Sequence, residues 1–334
     1  MDANRNENEI SALPLTSEGV GFSPDELAAC KACGRANPPT RFNCMYCGEA
    51  FDIGEVDAAK IQFAPRRLEN WEPGLNVVAT DFPSAIDGAA VAEIAARIAV
   101  DENVLRAAEG RTSPLPLARV ATDAEAKIVR SHLCAAGIES TVVPDRVLAA
   151  DKMPARCRSI GFSADELAIT HFNSSASVAV GRESVKLVVA GKVRESKTES
   201  TEKRKGRKST VEVRGESTSE MPVIDIYVDG YDAGFRILAG GFDFSCLGPE
   251  KDYVAAKNIA ALLERLRSFC PDAKFVSDYD ADRHLLDPVW DVDERSDSLG
   301  MKRIGWGRSA LANVTTRSNL TQFTKFSRLH RHLL

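Results

Sequence analysis

Four cysteines, Cys30, Cys33, Cys44 and Cys47, are the residues whose type and spacing point most directly to a chemistry. They are arranged as C-x2-C, ten intervening residues and a second C-x2-C. Two residues between paired cysteines allow a tight turn that aims both sulfurs at one ion, about 2.3 Å from each, and two such turns complete a tetrahedron. Gly34 and Gly48 follow the pairs and can take the positive φ such turns need, which brings backbone N–H groups up to the sulfurs. Four sulfur ligands fill the coordination shell, so the expected cofactor is one structural Zn2+ with no open position for a substrate water. The rival reading, a redox C-x-x-C, needs a βαβ setting that the flanking sequence lacks.

Nothing else in the chain spells out a reaction. Cys134, Cys157, Cys246 and Cys270 stand singly in apolar stretches, where an isolated thiol behaves as a small buried hydrophobe. In GFDFSCLG (241–248), Phe242, Phe244 and Leu247 recur as core positions do, and no histidine lies near Cys246; a buried strand end is expected there, not a nucleophile. His132 falls on a helix among Ile128, Val129, Leu133 and Ala136, with Glu125 as a nearby acceptor, as a buried histidine would. Phosphate-loop, dinucleotide, zinc-protease and serine-hydrolase motifs are all missing. A non-enzyme is expected, with no catalytic residue assigned.

The elements that must carry the cysteines and their surroundings come in several modules, since 334 residues exceed one ordinary core. The composition, 44% hydrophobic and 27% charged, is that of an average globular protein, and a net charge of −5 selects neither a polyanionic nor a polycationic partner. The first twenty residues have no apolar leader core, and no run approaches the roughly 18 apolar residues that span a bilayer, so a cytoplasmic location is expected.

The reading is a multidomain α+β chain: a disordered N-terminus (1–27), a zinc ribbon (28–52), a linker (53–72), a small α/β module (73–148), a β-rich module with a C-terminal helix (155–271) and an acidic, then basic, extended tail (272–334). In the ribbon, Asn37-Pro38-Pro39 forces an extended turn, and Phe42, Tyr46 and Phe51 are expected to supply the few apolar contacts. In the small module, a strand at Leu75–Ala79 leads to Ser84, which caps a helix over 85–99 while Asp87 reaches back; Ile86, Ala90, Ile94 and Ile98 form its apolar row. A second helix (101–109) closes at Gly110, a strand follows at Leu117–Val120, a Thr122–Glu125 capping box opens a third helix ending at Gly137, and Ile138–Val143 is a strand. The order is β-α-α-β-α-β. Six strand-like runs follow between Ser159 and Phe244, then a helix over 251–269 with Ile259, Leu262 and Leu266 on its apolar face. The octapeptide GFSPDELA (21–28) is echoed by GFSADELA (161–168), too short an echo for a repeat.

On the motif CxxCG…NPP…CxxCG, residues 28–52 resemble the short zinc ribbons of many prokaryotic regulatory and uncharacterised proteins, some of which bind nucleic acid and others proteins. The stretch LARVATDAEAKIVRSHLCAAGIESTVV resembles small ferredoxin-like signal-transducing domains of prokaryotes, and 75–143 as a whole is similar to the C-terminal domain of the bacterial ribosomal stalk protein and the related Clp-protease adaptor. Those likenesses imply protein binding without catalysis. Strands capped by one amphipathic helix also resemble bacterial pleckstrin-homology-like domains.

Two charged segments bear on partners. Lys203, Arg204, Lys205, Arg207 and Lys208 cluster inside the β-rich part, bracketed by Glu199, Glu202, Glu212 and Glu216; a solvated hairpin loop is expected, with phosphate contacts as the alternative. Residues 272–297 are rich in acid, whereas 298–334 has none and interleaves Lys325, Arg328 and Arg331 with Trp306, Phe323 and Phe326. Such a stretch suits nucleic acid, or folds against the acidic block as an intramolecular clasp, or supports self-association. The expected function is that of a zinc-binding adaptor or regulatory protein with protein partners. The alternatives are nucleic-acid binding through the ribbon, the 203–208 loop and the tail, and peripheral contact of the β-rich part with an anionic membrane surface.

Overall fold

The computed structural model describes residues 27–38, 41, 44–49, 51, 65–174, 176–205, 208–305 and 308–334. The expected disordered N-terminus, apart from Leu27, and most of the linker lie outside these residues, as do Pro39, Phe42, Arg207, Trp306 and most of the first GFSPDELA copy. The chain divides into two compact units, Met1–Gln62 and Phe63–Leu334. It is a mixed α+β protein in which strands dominate the larger unit.

The smaller unit holds two short strands, β1 (Ala28–Ala29) and β2 (Ala36–Asn37), paired antiparallel with Ala28 opposite Asn37.

The larger unit begins with the expected β-α-α-β-α-β order: β3 (Leu75–Asp81), α1 (Gly88–Ile98), α2 (Glu102–Ala107), β4 (Leu115–Val120), α3 (Asp123–Ala135) and β5 (Glu139–Pro144), then a single turn, α4 (Asp145–Leu148). β3 lies between β4 and β5, antiparallel to both. Every residue of β4 is buried, which explains a run, LPLARV, without polar alternation. The Thr122–Glu125 capping box is present. The first cap differs from the expectation: Asp87, not Ser84, caps α1, its carboxylate accepting from Ala89 N at 2.9 Å and Ala90 N at 3.3 Å. A carboxylate that reaches two orphan amides outcompetes a serine three residues upstream.

A nine-stranded sheet follows, in the order β13-β14-β9-β10-β11-β6-β7-β8 with β12 beside β9. Its strands are β6 (Ala155–Phe162), β7 (Glu166–His171), β8 (Ser177–Gly181), β9 (Val185–Lys205), β10 (Lys208–Val228), β11 (Tyr231–Leu238), β12 (Lys274–Val276), β13 (Asp293–Gly305) and β14 (Arg308–Ser318). Helices α5 (Ala255–Phe269), α6 (Tyr279–Leu286) and α7 (Leu320–His332) complete the unit. Side chains alternate along β9 and β10 and bury both faces. Leu187, Val189, Val223 and Tyr227 join a core with β3, β4, α1, α3, α6 and α7. Val188, Ala190, Ile224 and Ile226 face a second core with β6, β7 and α5. The α/β and β-rich stretches expected as separate modules therefore share one core.

The largest correction concerns 272–334, which folds as β12, α6, β13, β14 and α7 in place of an extended tail. Along α7 every residue from Gln322 to His330 is buried. Phe323, Phe326 and Leu329 are core. Lys325 and Arg328 are only 9% and 8% exposed, and the Arg328 guanidinium donates to Lys152 O at 2.7 Å. Gly191 makes room for this packing, since a Cβ there would sit 2.8 Å from Tyr279 and 3.0 Å from Phe323. Of the acidic-to-basic clasp one contact is seen, on the β13–β14 hairpin, where Glu294 accepts from Arg317 at 2.7 Å; Asp280, Asp282 and Asp291 pair with Lys192, Arg111 and Arg67.

Several polar groups taken inside are bonded to one another. Arg236 and Asp225 form a bidentate pair at 2.7 Å with side chains 4% and 0% exposed, and Arg236 also donates to Thr324. Trp290 Nε1 donates to Asn76 Oδ1 at 2.8 Å; Gln322 Nε2 donates to Trp290 O, and its Oε1 accepts from Tyr279.

His330 is 2% exposed and packed on Phe326, and both its ring nitrogens are unpartnered among the described residues, as are single Nε atoms of Arg111, Arg156 and Arg328. Burial, then the positive charges of Lys274 and Arg111, lower its pKa from 6.5 to about 4. The unfolded chain takes up this proton below about pH 6.5 and the folded chain resists it, so stability is full above that pH and falls as pH drops toward 4. Urea titrations should find this histidine costing about 2 kcal/mol between pH 8 and pH 5. In His330→Leu that part of the pH dependence should vanish, and stability at pH 8 should not fall.

Candidate metal centre

The local sequence builds two copies of one turn. Gly34 N donates to Cys30 O at 2.8 Å and Gly48 N to Cys44 O at 2.9 Å, with φ of 71° and 77° at the glycines. Cys30 N and Cys44 N then bond Arg35 O and Glu49 O, at 3.0 and 2.7 Å. Only glycine adopts this left-handed region without strain, which is why each pair ends in Cys-Gly.

The two turns bring Cys30 Sγ within 3.6 Å of Cys47 Sγ and Cys33 Sγ within 3.6 Å of Cys44 Sγ. All four sulfurs lie within 4.8 Å of one another. A tetrahedron with bonds of about 2.3 Å has edges of about 3.8 Å, so the donor set fits one tetrahedral, thiophilic ion. Cys30 and Cys44 are buried, whereas Cys33 and Cys47 are exposed.

The charge of four sulfurs needs a cation. Burial opposes ionisation of Cys44, but amides of Tyr46 and Cys47, with Cys33 and Asn37, outweigh it and bring the thiol down to about 6. At Cys47 the Glu49 amide favours the thiolate, yet desolvation and the thiols of Cys30, Cys33 and Cys44 push it up to about 12. Thiols this close cannot all ionise unaided, and a bound cation removes that restriction.

Asn37 has a role that its place in Asn-Pro-Pro did not announce. Fully buried, it donates from Nδ2 to Arg35 O at 2.8 Å and to Cys44 Sγ at 3.5 Å, and accepts from Met45 N at 2.9 Å. It thus fixes one turn to the other and supplies a donor to a ligand sulfur, as outer-shell groups of metal sites do. The expected apolar contacts are less evident: Phe51 is half-buried, and Tyr46 is 52% exposed with the Arg35 guanidinium 4.8 Å from its ring centre.

The other candidates lie elsewhere. Cys157 and Cys270 are buried as expected, and burial raises their thiols to about 12 and 11. Cys246 is half-buried and Cys134, against expectation, exposed. Its side chain points off α3, away from Val129 and Leu133 on the core side. Lys203, Arg204, Lys205 and Lys208 sit on paired strand ends instead of a loop, with Lys208 opposite Lys205.

No family model matches this chain, and no curated protein or solved structure is significantly similar to it.

Replacing Asn37 tests its place in the centre. Asn37→Ala should weaken metal binding about 10- to 100-fold in competition with a chromophoric chelator. Asn37→Asp, which keeps the acceptor for Met45 N and loses the donor to Cys44, should fall between the two.

Proposed function

We propose that the chain is a zinc-binding adaptor or regulatory protein that engages protein partners and catalyses no reaction. The observation that carries the metal part is the closed set of four sulfurs within 4.8 Å of one another. Zn2+ is the ion we assign, because it tolerates any ligand field, prefers four thiolates in a tetrahedron and does no redox chemistry in such a shell. Supporting a binding role, Met45 and Tyr46 stand 53% and 52% exposed in the second turn, where apolar side chains serve contact better than folding. The ribbon, ferredoxin-like and pleckstrin-homology-like resemblances accord with this reading, and a cytoplasmic location is part of it.

Nucleic acid is the second reading. Arg35 against the exposed Tyr46 ring is the kind of pair on which a base stacks. Against it, Phe323 and Phe326, two of the three aromatics that would have served the tail, are buried in the core.

Metal analysis of purified protein should give one zinc per chain, and Cys44→Ser should abolish it while leaving the thermal unfolding of Phe63–Leu334 unchanged; a folded, metal-free N-terminal unit would refute the assignment. Affinity capture should recover specific proteins with the intact chain and lose them when residues 1–55 are removed. Binding of single-stranded or duplex DNA or RNA whose log affinity falls linearly with log salt would instead favour the second reading.

A further inference from the structure

A polar cleft of about 930 Å³ lies at the base of the four strands β13-β14-β9-β10, between their lower half and α6. Its strand wall can be followed row by row from the register. Arg194 stands opposite Glu220, Ser196 opposite Thr218, and Thr198 opposite Glu216; β14 adds Arg317 beside Ser196 and Thr315 beside Thr198. These residues share one face, which two contacts on β13 and β14 confirm: Arg317 with Glu294, and Ser296 with Thr315 at 2.9 Å.

Most charges in the cleft are already neutralised. Arg67 pairs with Asp291, Arg317 with Glu294 at 2.7 Å and Arg283 with Glu220 at 3.3 Å, while Asp287 accepts from Gln322. Of the arginines and carboxylates that line it, two have no side-chain partner among the described residues, the exposed Arg194 and the exposed Glu216. On β9 they mark positions 194 and 198, so an unpaired cation and an unpaired anion lie about 13 Å apart along one face, at ~3.3 Å per residue. Hydroxyls of Ser196 and Thr218 lie between them. Farther along the same face of β10, Val213 and Val211 are 63% and 65% exposed, with Met301 at 68% on the same row as Val211 through Leu311 and Glu202.

We propose that this face binds an extended polypeptide segment of a partner, with an acidic side chain against Arg194, a basic one about four residues on against Glu216, and apolar side chains beyond, over Val213 and Val211. Balanced charge makes the cleft a poor seat for a polyanion, and the spacing of the free charges matches an extended chain, which presents one face every second residue. Hydroxyls between the charges suit the backbone groups such a segment carries. The inference rests on the reading that the partners are proteins, and gives that reading a second contact surface apart from the metal centre.

The test uses the full chain and arrayed synthetic decapeptides carrying one acid and one base at spacings of two to six, followed by Val-x-Val, in both charge orders. The acid-first order at a spacing of four should bind best. Arg194→Glu should weaken it at least tenfold. The exchange Arg194→Glu with Glu216→Arg should prefer the base-first peptides, an outcome no loss of folding can imitate. Indifference to spacing and charge order, or equal binding by the exchange variant, overturns the proposal, as does an oligothymidylate that binds the cleft and is released by Arg194→Glu. Loss of protein capture on removing residues 1–55, combined with peptide indifference here, would leave the adaptor reading standing and remove this site alone.

Discussion

The larger unit depends on the burial of one helix. α7 enters the core between the β3–β5 layer and the long sheet, and it does so with Gln322, Thr324, Lys325, Ser327 and Arg328 as well as its phenylalanines. Polar groups taken out of water must find partners or cost 1–3 kcal/mol each, on the order of a tenth or more of a domain's stability. The partners come from distant parts of the chain: Tyr279 and Trp290 for Gln322, Arg236 for Thr324, Tyr227 for Ser327, and the Lys152 carbonyl for Arg328. Each bond constrains the position of the element that supplies it. The same set reaches β3 through Trp290 and Asn76, so the α/β layer, the sheet and the C-terminal elements fold as one body.

That arrangement decides where the chain can meet other molecules. Phe323, Phe326 and two of the C-terminal cations are consumed by the core, and Asp280, Asp282, Asp291 and Glu294 are paired with arginines or lysines of the same unit. Among the described residues, surfaces that stay available include the face of the paired hairpins with Val211, Val213 and Met301 and, in the smaller unit, the turn that carries Met45 and Tyr46. The four cysteines, whose sulfurs lie within 4.8 Å of one another, could close around one metal ion, which would leave their surroundings, not the sulfurs, for contact.

Features set by neighbours in sequence were legible before the structure. The cysteine spacing, the Cys-Gly turns, the Thr122–Glu125 box, the apolar strand ends Val185–Val193 and Val223–Val228 and the order of the α/β layer all follow from interactions within a few residues. Features set by distant partners were not. Nothing local tells that Phe323 and Phe326 will pack on Tyr279, because basic residues alternating with aromatics describe a buried amphipathic helix and a nucleic-acid-binding tail equally well. In sequence, Asn37 before Pro38 and Pro39 reads as a backbone device, whereas its amide bridges two turns that only the fold brings together. Lys203, Arg204, Lys205 and Lys208 read as a loop from sequence because their strand partners are not apolar; pairing of β9 with β10 carries the ladder past the point where hydrophobic alternation ends.

Residues 320–330 belong to the core and do not form a free binding segment, and native-state amide hydrogen exchange on the intact protein reads this directly. If α7 is held as described, the amides of Phe323 to Leu329 exchange only by global unfolding, as slowly as those of Val188 and Ile224 on the central strands. Exchange of those amides at the rate of an unstructured peptide, with the central strands still protected, would contradict it.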